Sequence, residues 1–108
     1  MRRLPPALAA SATPQILELL GPAPDDGPPG RVLELGFAGI HAAVLELAGW
    51  EVVVVSDDWQ ARERSEHVVA APEGRFDAVV APVDADLTGI DAARIVLVDD
   101  RGIASMVG

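Results

Sequence analysis

Val52, Val53, Val54 and Val55 form an unbroken apolar run between Glu51 and Ser56. Side chains of a strand point alternately to opposite faces, so a strand with one wet face alternates apolar with polar residues. A run without alternation is covered on both faces, which is the situation of a strand inside a parallel sheet. Parallel neighbours in turn require crossover connections, so the run predicts an α/β chain whose strands are separated by helices or long loops.

A second stretch fits that frame. In Arg31-Val-Leu-Glu-Leu-Gly-Phe-Ala-Gly39, an apolar strand breaks directly into a turn of small residues, and helical spacing follows over 38–48. In an open α/β sheet such a turn lies at the carboxyl end of a strand, where ligands bind and where a helix start offers N–H groups. Within the helix, the spacing predicts Ile40, Val44 and Leu47 on the covered face and His41 and Glu46 off it.

The rest of the chain supplies further elements. Met1 to Ala12 has no clear period and reads as a flexible tail, leaving 13–108 as a single domain. Thr13 before Pro14 has the form of a helix cap, and Ile16, Leu17, Leu19 and Leu20 give that helix an apolar face ended by Gly21. The proline-rich stretch from Pro22 to Gly30 reads as a stiff connector. After the valine strand, 60–66 reads as a charged helical or turn segment, His67 to Ala71 as a brief third strand and Phe76 to Ala81 as a fourth. An acidic loop follows over 83–89, then a turn of helix over 90–93 and a fifth strand from Arg94 to Val98.

Composition removes several functions. The chain has 108 residues, room for one modest domain, and a formal charge of −9, which repels phosphate backbones and anionic membranes. Direct binding to nucleic acid or a membrane is therefore not expected. Without cysteine there are no disulfides, thiolate metal sites or cysteine nucleophiles, and without lysine there is no Walker-type phosphate site. His41 and His67 have no partner at metal-binding spacing, so no metal site is expected. No serine stands in a nucleophile-elbow context, and no side chain can be assigned a catalytic role. The apolar runs are too short to span a bilayer, and the amino terminus lacks the core of a signal peptide, so a cytoplasmic protein is expected.

The order of segments, Arg-Val-Leu-Glu-Leu-Gly, then Gly-Trp-Glu-Val-Val-Val-Val, then Arg-Phe-Asp-Ala-Val-Val-Ala-Pro, then Ala-Arg-Ile-Val-Leu-Val-Asp, resembles the front part of a class I S-adenosylmethionine-dependent methyltransferase. The resemblance covers roughly residues 13 to 100. It implies a Rossmann-like three-layer sandwich with a mostly parallel sheet of about five strands, here lacking the usual C-terminal hairpin. It further implies that Glu34 and Gly36 lie beside the methionine end of the cofactor, with Ala38 and Gly39 forming the turn under it. Asp57 or Asp58 would bind the ribose hydroxyls, and Trp59 would lie against the adenine.

The sequence departs from that family's acidic-x-Gly-x-Gly-x-Gly pattern. Ala38 and Ile40 replace the second and third glycines, Ser56 stands at the counted position of the ribose-binding acid, and the chain has few residues after its fifth strand. An uncovered fifth strand predicts a homodimer, a partner subunit, or capping by the 102–108 segment. Two functions follow: an S-adenosylmethionine-binding methyltransferase-like domain of unknown acceptor, or a non-catalytic relative acting as a dimeric or partner-binding subunit. A nicotinamide-dinucleotide domain is disfavoured, because Gly36, Ala38 and His41 meet the Gly-x-Gly-x-x-Gly fingerprint at one position only.

Overall fold

A computed structural model describes residues 10–21, 23, 30–37, 39–56, 68–69 and 74–107. Six strands form one sheet in the order β3-β2-β1-β4-β5-β6: β1 (Arg31–Leu35), β2 (Glu51–Val55), β3 (Val68–Val69), β4 (Arg75–Pro82), β5 (Asp91–Val98) and β6 (Ala104–Val107). The first five are parallel, with Val32 opposite both Val52 and Ala78, and β6 runs antiparallel to β5. The valine run is buried at Val52, Val53 and Val54, as its lack of alternation requires.

Two helices, α1 (Thr13–Leu20) and α2 (Ala42–Leu47), lie over the same face of the sheet. Ile16 and Leu20 of α1 and Ala42 and Leu45 of α2 pack there against Val32, Val52, Val54, Ala78, Val80, Val96 and Val98. Each large aliphatic side chain sealed this way contributes roughly 1.5–3 kcal/mol relative to exposure. Ala12, just before α1, is buried in the same cluster. On the opposite face, Leu33, Phe76, Val79 and Ala81 form a second cluster, covered in part by Ala85, Leu87 and Ile90 of the β4–β5 connection. Among the described residues, regular secondary structure over the sheet is confined to the first face.

Several sequence expectations change. Thr13 does not cap α1: Ala12 holds the N-cap position without a side-chain cap, and the Thr13 hydroxyl turns inward. The helix after β1 is short and rotated from the expected phase. It buries His41, Ala42 and Leu45, while Leu47 is 89% exposed and Val44 is on the surface. The stripe 41, 42, 45 obeys the i, i+3, i+4 rule as well as 40, 44, 47 does. The extended segment from Asp91 to Ala93 is the start of β5 rather than a turn of helix.

The edge of β5 is not bare. Asp99 and Asp100 open a turn in which the Asp99 carboxylate accepts the N–H groups of Arg101 and Ile103, both at 2.9 Å. The Asp99 N–H donates to the Ile103 carbonyl at 3.0 Å, which returns the chain as β6 along β5. The sheet therefore has six strands, and the segment after Gly102 caps the fifth.

Candidate functional site

The strand order reverses between β1 and β4: the chain steps outward from β1 to β2 and β3, then returns to the far side of β1 as β4. In open α/β sheets the carboxyl ends of the strands flanking such a reversal form the ligand crevice. Here those ends are Leu35 and Gly36 of β1 and Ala81 and Pro82 of β4. Continuing the registers by one residue beyond Leu35↔Val55, and by two beyond Glu34↔Val80, sets Gly36 level with Ser56 on one side and Pro82 on the other.

Gly36 has φ +74°, a conformation that favours glycine over any residue with a Cβ. A Cβ there would also lie 2.9 Å from both Cγ and Cδ of Pro82. Two independent constraints therefore hold this position to glycine. Gly39, with φ +82°, makes a second left-handed step before α2. The left-handed steps at Gly36 and Gly39 are accompanied by two hydrogen bonds, the Ile40 N–H on the Phe37 carbonyl at 3.1 Å and the Ala42 N–H on the Gly39 carbonyl at 3.1 Å.

Beneath this turn lies a buried polar group. Glu34 is fully buried on β1, and its Oε1 accepts the backbone N–H of His41 in a long 3.5 Å contact. The carboxylate thereby ties the end of β1 to the start of α2, at the positive pole of the helix. The His41 ring is fully buried as well, with Nδ1 2.6 Å from the Thr13 hydroxyl and the ring edge against Phe37 at 4.8 Å between centroids. Its Nε2 is buried without a hydrogen-bond partner among the described residues. Burial alone lowers the His41 pKa from 6.5 to about 4, so the ring is neutral at pH 7.

The site residues expected from sequence divide accordingly. Glu34, Gly36 and Gly39 come together at the carboxyl end of β1. Ser56 follows β2 beside them, half-buried. Ala38, Asp57, Asp58 and Trp59 lie outside the described residues. Sequence reasoning missed Thr13, His41 and Pro82. The signal for His41 was its place in the 41, 42, 45 stripe, and that for Pro82 was its position ending a strand parallel to β1.

Gly36 and Glu34 also test the fit of S-adenosylmethionine to this end of the sheet. Pro82 accounts for the missing side chain at Gly36, and the Glu34 carboxylate is occupied with a backbone N–H of the protein. Oε1 of Glu34 thus helps to hold the turn. The backbone of 35–37 and Gly39, with Ser56 beside it, lines this end of the sheet and carries the amide and hydroxyl chemistry that a zwitterionic, hydroxyl-bearing molecule could meet. No protein-family model, curated protein or solved structure gives a significant match to the chain.

Proposed function

We propose that the chain is a Rossmann-like domain that binds S-adenosylmethionine at the carboxyl ends of β1 and β2. The observation that carries this reading is the coincidence of the strand-order reversal with a glycine turn braced from below by a buried carboxylate. In this reading Glu34 is a positioning residue that fixes the turn, and the backbone of 35–39 faces the methionine end. Asp57 or Asp58 binds the ribose and Trp59 lies against the adenine, as the sequence resemblance implies. The bound cofactor would supply an already activated methyl group, so the protein's task is to orient it and exclude water.

Titration calorimetry with S-adenosylhomocysteine tests the reading. Micromolar affinity is expected, weakened on the order of tenfold or more in a variant carrying both Asp57→Asn and Asp58→Asn. Absence of heat at millimolar ligand with folded protein would sink it. The second reading, a non-catalytic relative that works through a partner, is favoured by one specific observation. Pro82 packs onto Gly36 at the reversal point, where a ligand-binding sheet needs room.

A further inference from the structure

β6 ends the sheet, with β5 its one neighbour among the described residues. Backbone groups of an antiparallel strand alternate between facing the neighbour and facing away. The Asp99 N–H bonded to the Ile103 carbonyl sets the phase of that alternation. It makes Leu97↔Ser105 and Ile95↔Val107 the hydrogen-bonded pairs, and it turns the N–H and C=O of Ala104 and Met106 outward.

The outward edge is treated differently along its length. At its start, the Gln15 carboxamide of α1 reaches it from the helix layer. Gln15 Nε2 donates to the Gly102 carbonyl at 3.1 Å, and Oε1 accepts the Ala104 N–H at 2.9 Å. Carbonyl of one residue and N–H of the residue two later is the pair that a neighbouring parallel strand would engage. Gln15 thus imitates one peptide of a seventh strand and closes the edge at that point. Two residues further on, Met106 has no such guard among the described residues.

Natural edges are blunted with charges, proline or bulges. Residues Ile103 to Val107 contain no charge and no proline, although the chain carries −9 overall. Ile103, Met106 and Val107 are all exposed, Ile103 by 52%. Antiparallel pairing about a two-fold axis through Met106 is self-complementary: each Met106 N–H meets the Met106 carbonyl of the other copy. It brings together the uncharged part of the edge of a strongly acidic protein, so like-charge repulsion is least there.

We propose that the outer edge of β6 is a self-association surface on which a second copy pairs its own β6 antiparallel about Met106, with Gln15 limiting the pairing to that point. A four-residue edge buries far less than the ~1,600 Å² of a standard interface, so the dimer is weak and concentration-dependent. Sedimentation equilibrium from micromolar to millimolar protein is the test. The weight-average mass should rise from 11.3 kDa toward twice that value. Met106→Pro deletes the outward N–H without touching the β5 ladder, and should weaken association on the order of tenfold or more with an unchanged circular dichroism spectrum. Met106→Lys, which sets like charges across the axis, should do the same. Gln15→Ala, which frees the Gly102 carbonyl and the Ala104 N–H, should strengthen it. A wild type that stays monomeric at millimolar concentration, or folded Met106→Pro and Met106→Lys variants that associate as strongly as the wild type, overturns the proposal.

Discussion

The two ends of β1 are built from similar parts and work differently. At the amino end, Gly30 precedes the strand because a Cβ would run into the Trp50 ring, 2.7 Å from Cε3. The polar groups around it are matched: Asp77 accepts the Arg31 N–H at 2.7 Å, the Arg31 guanidinium donates to the Arg75 carbonyl at 3.0 Å and stacks on Phe76, and the Trp50 indole donates to the Gly21 carbonyl at 3.1 Å. At the carboxyl end, Gly36 is held by sterics and by a left-handed φ together, and a buried imidazole keeps one nitrogen without a partner among the described residues. An end whose polar groups are matched is architecture. A buried nitrogen unmatched among the described residues calls for a further explanation, such as a bound water, an ion or a functional role.

The glycines give the largest expected effect. Gly36→Val adds both backbone strain and a clash with Pro82, and is expected to cost about 2–5 kcal/mol in urea denaturation. Adding Pro82→Ala should recover the steric part and leave the strain. Full recovery would mean that φ at residue 36 is unimportant. Gly30→Ala meets the Trp50 ring without a positive φ, so a smaller loss of about 1–3 kcal/mol is expected.

The buried imidazole makes the second difference measurable. The folded-state pKa of His41 is about 4 against 6.5 for the free side chain, so below pH 6.5 the unfolded chain takes up a proton that the folded one refuses. Stability from this group is complete above pH 6.5, falls as the pH drops toward 4, and levels off below. The full span is about 3 kcal/mol. Comparing wild type with His41→Gln across that range isolates the contribution, because other titrating groups are common to both. Identical pH profiles would show that the ring is not buried neutral. The smallest effect belongs to the amino end, where Asp77→Ala removes an exposed acceptor and should cost about 1 kcal/mol or less, with ligand binding unchanged.

How far the sequence could be read also differs between regions. The valine run was legible because it is buried on two faces and apolar without interruption, and the Arg31–Leu35 strand because Val32, Leu33 and Leu35 are apolar around the single Glu34 and a glycine bounds the strand on either side. The helix phase was not, because its inward stripe is a histidine, an alanine and one leucine, whereas the outward Val44 and Leu47 carry more hydrophobicity than their exposure would predict. The start of β5 was misread because Asp91 and Ala93 are exposed, so only its second half has the apolar character of a covered strand. β6 was legible only as a possible cap, since Ala-Ser-Met-Val has no alternation and is fixed by the Asp99 turn and the Gln15 carboxamide, both long-range or side-chain effects. At the site, Glu34 and Gly36 were legible as a pair. The occupation of Glu34 by the His41 N–H depends on a turn whose shape no spacing rule specifies.

In the proposed function the carboxyl end of β1, and not its amino end, meets the ligand. Amide resonances followed through a titration with S-adenosylhomocysteine test it most directly. Saturable shifts are expected at Leu35, Gly36, Phe37, Gly39 and Ser56, with Gly30, Arg31 and Gly74 unmoved. Shifts centred on the amino end, or none at millimolar ligand, would contradict the account.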